Sequence, residues 1–171
     1  MPFPLGSHAT APGLQLIKQW EGFRANAYPD PLHGWAAATI GYGTTVYSTG
    51  RRVAQGDTLT EVQASQELEH YVLTRIHPAL QKIPYVAEMN ASMLGALESF
   101  AYNLGEGFYG GAHFQTITRK LREKDWATLR QALLLYVNPG SSVEVGLRNR
   151  RNAEATLWET GLLESGIMKQ L

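Results

Sequence analysis

The stretch WEGFRANAYPDPLHGWAAATIGYG, residues 20–43, changes character twice. Its first part closes a helical pattern. Leu14, Ile17 and Glu21 fall at helical spacing, and Leu16, Trp20 and Phe23 widen the apolar stripe. Pro12 suits a first turn, where its missing N–H has no intrahelical partner to lose. The spacing predicts a helix over about 12–25. YPDP then stops it, because a residue before proline is pushed away from helical dihedrals. From Trp35 to Ala54 the chain is rich in Thr, Tyr and Val, with paired glycines and a Ser-Thr-Gly turn. That composition reads as two or three short strands over about 36–54.

Beyond this sheet the pattern is helical. Thr60 is placed to cap a helix, with Gln63 completing a capping box, and the helix is expected over about 61–77, halting before Pro78. Asn90 caps ASMLGALESFAYNL. FQTITRKLREK follows a glycine-rich turn, WATLRQALLLYVN ends at Pro139-Gly140, and VEVGLRNRRNAEATLW makes the last strong helix. The expected fold is α+β: an N-terminal helix and a small antiparallel sheet, joined by a long helix to a mostly helical lobe. One domain is expected over 1–171. It would have a sheet-containing lobe over about 14–60 and a helical lobe over about 78–171 that also takes the N-terminal helix.

Composition bounds the chemistry. The chain has 171 residues, 44% hydrophobic and 18% charged, which is enough for a packed core and unlike a disordered chain. It has no cysteine, which excludes disulfides, thiolate metal sites and cysteine nucleophiles. The first 13 residues show no basic segment followed by an apolar run, so neither a signal peptide nor a membrane-spanning helix is expected. The net charge is zero, but residues 1–112 carry 6 basic and 9 acidic groups and residues 113–171 carry 9 and 6. Chance explains that asymmetry, and so does a mildly basic lobe facing a polyanion. LRNRR alone is sparser than the basic stripe of a nucleic-acid binder.

Two carboxylates stand out. Glu21 lies on or beside the buried face of its helix. It is either an edge residue that snorkels out or pairs with an arginine, or a desolvated carboxyl that keeps its proton and serves as a general acid. Asp30 lies between prolines, where aspartate is common for turn chemistry alone. Its position just past the end of Glu21's helix favours a second role, since two carboxylates in unlike environments are the minimal kit for cleaving a glycosidic bond. Thr39, in TIGYG, is either an ordinary strand residue or a hydroxyl that helps hold an attacking water. GEGFYG, residues 105–110, matches G-x-G-x-x-G, but a helix precedes it where a dinucleotide site needs a strand. His70 and His77 sit on one helix and read as helix surface rather than a metal site, and no metal-ligand motif or G-x-S-x-G is present.

These motifs together resemble the phage-type lysozymes, glycoside hydrolase family 24, which include bacteriophage endolysins. The resemblance rests on Glu21-Gly22-Phe23-Arg24, Ala27-Tyr28, Asp30 and Thr39-Ile40-Gly41-Tyr42-Gly43, and continues in LESFAYNLGEG (97–107), TRKLREKDW (118–126) and GLRNRRNAEATLW (146–158). It implies a lysozyme-like fold and a muramidase that hydrolyses the β-1,4 bond between N-acetylmuramic acid and N-acetylglucosamine in peptidoglycan, by inverting chemistry without metal or cofactor. It further implies that Glu21 is the general acid, that Asp30 orients a water or stabilises positive charge at the sugar, and that Thr39 helps place that water. Thr45 and Tyr102 match positions lining the sugar-binding cleft. One of Arg148, Arg150 and Arg151 is expected to pair with a carboxylate in the cleft. Endolysins of this kind stay in the host cytoplasm until a holin releases them to the wall, so no nucleic acid, no membrane insertion and a monomer are expected.

The sequence departs from the family pattern twice. PLHGWAAA, residues 31–38, lengthens the link between Asp30 and Thr39. Thr44 stands where the family often has histidine, while His33 lies nearby. Two other readings remain: a lytic transglycosylase acting on the same bond with one glutamate, and a catalytically silent glycan-binding or structural domain.

Overall fold

A computed structural model describes residues 5–168. Helix α1 (Ala11–Glu21) starts where the Thr10 hydroxyl accepts the Gly13 N–H, with Pro12 in the first turn. It buries Leu16 and Ile17. The helix ends at Glu21 rather than near residue 25, because Gly22 takes a φ of 69° that most side chains resist, and its N–H closes onto the Lys18 carbonyl. Residues expected to be helical therefore open strand β1 (Arg24–Asp30), which pairs antiparallel with β2 (Gly34–Gly41).

The sheet thus has two strands and begins earlier than the expected 36–54. After Gly41 the described chain makes only single bridges: Ile40 with Thr44, Val46 with Arg52, and Thr58 back to Asn26 of β1. Glycine turns at Gly43 and Gly50, with φ of 98° and 88°, bend it too tightly for a ladder. The hairpin register is irregular. Tyr28 faces Thr39 and Asp30 faces Gly34, so five residue steps on β2 oppose two on β1. The surplus residues of the Pro31–Ala38 stretch are therefore absorbed as a bulge in β2 rather than as a longer loop.

Thr60 and Gln63 form the expected reciprocal cap of α2 (Glu61–Tyr71). The helix does not halt before Pro78. A π-helical turn (Val72–Ile76) leads into α3 (His77–Leu80), and the His77 N–H reaches back five residues to the Val72 carbonyl. This wider turn accommodates a proline ring that would otherwise press on the carbonyl four residues before it. His77, expected at the surface, is fully buried. Its Nδ1 accepts the Gly6 N–H and its Nε2 lies 2.7 Å from Glu98 Oε1, so Nε2 carries the proton.

Helix α4 (Ala91–Leu104), capped by Asn90, runs through the centre with Ser92 to Ala101 buried. It packs against α1 and against α7 (Glu144–Glu164). The crossing with α1 is backbone to backbone: a Cβ on Gly95 would fall 2.7 Å from the Gly13 nitrogen. Helices α5 (Gln115–Arg122) and α6 (Leu129–Leu133) complete the helical lobe. A second, smaller core of Ala38, Ile40, Tyr47 and Val53 lies under the sheet. Leu59 packs against both cores. The result is the α+β, lysozyme-like arrangement expected from the sequence.

Candidate active site

Glu21 is the last residue of α1, one turn beyond the buried Ile17, and Gly22 turns the chain directly after it. The expected enclosure by apolar side chains is not what the structure shows. Glu21 Oε1 lies 2.6 Å from Nη1 of Arg150, and a quarter of the side chain is open to solvent. The Oε2 oxygen faces Gly43, where an added Cβ would lie 3.6 Å from it and 3.3 Å from the Tyr102 hydroxyl. Glu21, Arg150, Gly43 and Tyr102 therefore meet at one point, drawn from α1, α7, the turn after β2, and α4.

Arg150 is held from behind. Its Nη2 donates to the Ser99 carbonyl at 3.1 Å, and its Nε lies 3.3 Å from both the Ser99 hydroxyl and Glu154 Oε1. Ser99 donates to the same Glu154 oxygen at 2.7 Å. Arg151 lies on the other side of Glu154, with Nε 2.7 Å from Oε2, and donates to Asn103. Burial raises the Glu154 carboxyl and lowers the Arg151 guanidinium, each against the pull of the other. The network fixes the guanidinium that meets Glu21, because all three Arg150 nitrogens are already bonded.

Tyr102 donates its hydroxyl to the Tyr42 carbonyl at 2.6 Å and stacks edge-on against Tyr71, with centroids 5.4 Å apart. Burial, then the Glu21 charge, pushes the Tyr102 phenol well above its ordinary value, so it remains a donor. It ties the Tyr42–Gly43 turn to α4 beside Glu21. From here a groove of about 490 Å³ opens between the Gly43–Tyr47 segment and the α2 side, lined there by Glu67, His70, Tyr71, Thr74 and Arg75. Thr45 and Tyr102 both line it, and Thr44, which stands where the family often has histidine, lies between Gly43 and Thr45 in its wall.

Thr39 lies opposite Tyr28 in the ladder. Its neighbours Ala38 and Ile40 are buried in the small core, so strand alternation turns Thr39 to the other face. Tyr28 carries Arg24 over its ring at 5.4 Å and lies near enough to Tyr102 to influence its phenol. Asp30, two residues beyond Tyr28, shares that face of β1. It closes the strand, accepting the Leu32 and His33 N–H groups at 2.9 and 2.8 Å. These bonds, the His33 one first, hold its carboxyl below the usual carboxylate range. Tyr102 and Thr45 thus line one groove, and Glu21 lies against its Gly43 end without lining it. Asp30 and Thr39 lie along the hairpin beside it, with no direct contact to Glu21 among the described residues.

Two parts of the site lay outside the sequence reading: the Ser99–Glu154–Arg151 support of Arg150, and the closeness of Gly43 to Glu21. The first has a signal in hindsight. Arg150, Arg151 and Glu154 have i,i+3 and i,i+4 spacing within α7. Among the described residues no three His, Asp or Glu side chains are placed to hold a metal ion.

Comparison with known proteins gives a consistent picture. A family model described as Phage lysozyme matches residues 18–154. An endolysin of Lactococcus phage c2 is 33% identical over 152 residues, covering 85% of this chain and 58% of that protein. An endolysin of Bacillus phage B103 is 31% identical, covering 87% and 53%. The chain therefore spans little more than half the length of these curated relatives. An endolysin of Acyrthosiphon pisum secondary endosymbiont phage 1 is matched over nearly its full length, with 28% identity covering 90% and 99%. Among solved structures, a P22 lysozyme mutant aligns with a TM-score of 0.71 and 27% identity, covering 88% of this chain and 97% of that one. The active form of the P1 phage endolysin Lyz aligns at 0.72 and 25%, covering 90% and 86%.

Proposed function

The chain belongs to the phage lysozyme family, and from that premise we propose that it is a muramidase of peptidoglycan, hydrolysing the β-1,4 bond between N-acetylmuramic acid and N-acetylglucosamine. The observation that carries this reading is the placement of Glu21: one oxygen is pinned by Arg150 while the other faces Gly43 at the head of an open groove. A general acid needs a fixed position and one free oxygen to hold the proton. Oε2 of Glu21 would deliver its proton to the glycosidic oxygen as the C1–O bond breaks. A water would attack C1 from the opposite side and lose its proton to Asp30, which its turn bonds keep charged. Thr39, on the same strand pair, would help place that water. Thr45 and Tyr102 would contact the sugars. The groove between sheet and helix suits an extended glycan strand, the partner expected for this family.

Glu21→Gln tests the assignment. The amide keeps size and hydrogen bonding but cannot donate a full proton. General acid catalysis contributes roughly 10²–10⁴-fold, about 3–5 kcal/mol of barrier. Turbidity clearing of purified cell walls should fall by that factor with the thermal melt intact. Clearing within threefold of wild type would remove Glu21 from the chemistry.

A second reading is favoured by one observation. Glu21 lies against Gly43 of the groove wall, whereas Asp30, among the described residues, bonds only within its own turn. A lytic transglycosylase would cleave the same bond with the glutamate alone and leave 1,6-anhydro ends instead of reducing ends. Unimpaired turnover in Asp30→Asn would favour it.

Release to the wall by a separate holin follows from the same family reading. Among the described residues no helix is long and apolar enough to cross a membrane. One relative, 30% identical, is a SAR-endolysin of Bacteriophage PS119. Lysis that begins only after chloroform permeabilises an expressing Gram-negative host would support holin-dependent release.

A further inference from the structure

The two oxygens of Asp30 are not equivalent. Oδ1 accepts the Leu32 and His33 backbone N–H groups at 2.9 and 2.8 Å and lies 3.0 Å from His33 Nδ1. All three contacts fall on that one oxygen, and Oδ2 carries none among the described residues. The first two bonds are turn chemistry open to any aspartate at the end of a strand. The third is not, since it needs a side-chain donor three residues on. A carboxylate oxygen can only accept here, so Nδ1 is the donor. The His33 ring is 70% exposed and Asp30 34%. A pair this open contributes little to stability, so its consequence lies in the carboxylate it orients.

We propose that His33 is a positioning residue for the hydrolytic reaction: its Nδ1–H locks Oδ1 of Asp30 in place, leaving Oδ2 as the oxygen that takes the proton from the attacking water. The inference rests on the reading of Asp30 as the water-activating carboxylate. The water oxygen bonds to C1, its proton passes to Oδ2, and His33 neither gives nor takes a proton in the step. The bulge in β2 opposite Tyr28–Asp30 belongs to the same Pro31–Ala38 stretch that supplies His33. The lengthened hairpin thus brings its own side-chain donor to the carboxylate.

The electrostatics agree with the geometry. After the two backbone bonds, the His33 ring is the next cause that holds the Asp30 carboxyl below its ordinary range, and slight burial opposes it. His33 is the ionisable group whose ring and charge hold Asp30 low. Asp30 acts as the charged form. Holding it low keeps it charged as pH falls, so losing the ring should let it protonate at higher pH.

The test is kcat and KM against pH on purified peptidoglycan for wild type, His33→Ala, His33→Asn and Asp30→Asn, each with a thermal melt. In His33→Ala the melt should be unchanged. Its kcat should drop about two- to fivefold, the range open to an exposed pair, with KM steady and the acid limb moved to higher pH. In His33→Asn the uncharged amide can donate from the same place, so kcat should recover and the acid limb should return most of the way, because the ring's hydrogen bond outweighs its charge at Asp30. Wild-type kcat and acid limb in His33→Ala, with Asp30→Asn inactive, would overturn the positioning role and leave the reading of Asp30 standing. A drop in His33→Ala that tracks a lowered melt and is not rescued by His33→Asn would also overturn it. Full turnover in Asp30→Asn would instead remove the reading on which it rests.

Discussion

Tyr102 shows how much of the site depends on single bonds. Its hydroxyl holds the Tyr42 carbonyl at 2.6 Å, and the next residue, Gly43, lies against Glu21. Tyr102→Phe leaves that part-buried carbonyl without its partner, at a cost of about 1–3 kcal/mol. A urea midpoint lowered by that amount, together with slower wall clearing, is the expected result. An unchanged midpoint would mean that the turn is held by other contacts. Glu21 itself was legible as a candidate acid, and the family resemblance led to an arginine partner from Arg148, Arg150 or Arg151, which Arg150 supplies, but periodicity alone misread its surroundings. Helical spacing placed it near the core face, whereas Gly22 ends the helix there and Arg150 reaches it across 129 residues of sequence. Periodicity reports which face a residue occupies within its element; it carries no information about a partner from another. His77 misled in the same way. A histidine without neighbouring ligands reads as surface, yet Glu98 and the Gly6 N–H supply both of its bonds in the interior.

At the scale of elements, start signals were more legible than ends. Thr60 with Gln63 and Asn90 cap the helices they were expected to cap, because a cap is a local bargain between a side chain and the next turn. The failures lie where a local rule met a tertiary alternative. Pro78 should have stopped a helix, but a π-turn carries the chain past it. Residues 24–30 had no strong strand composition and became a strand because β2 and the Asp57–Leu59 segment pair with them on both sides. The packing of α1 on α4 was also invisible, since only coordinates bring Gly13 beside Gly95. A Cβ at Gly13 would lie 1.9 Å from Glu98 Oε2 and 2.9 Å from the Gly95 Cα. The second contact is backbone and cannot swing away. Gly13→Ala should therefore destabilise the fold by about 1–3 kcal/mol through overpacking, lowering the urea midpoint at constant m. A midpoint equal to wild type would show that the two helices separate at no cost.

At the scale of the whole molecule, two cores of unequal size meet through Leu59, and the groove lies along their junction. The smaller core carries the hairpin with Asp30 and Thr39. The larger holds α1 with Glu21 and α7 with Arg150. Under the proposed reading, a glycan strand entering at Gly43 would meet its proposed acid on one body and its proposed water-handling groups on the other. The central claim is that this division hydrolyses the bond with a water rather than closing the sugar on itself. Mass spectrometry and NMR of the products from purified peptidoglycan test it most directly. The account predicts N-acetylmuramic acid reducing ends, first released as the α-anomer, with one solvent oxygen incorporated when the digest is run in ¹⁸O water. Products ending in 1,6-anhydro-N-acetylmuramic acid, with no solvent oxygen, would contradict it.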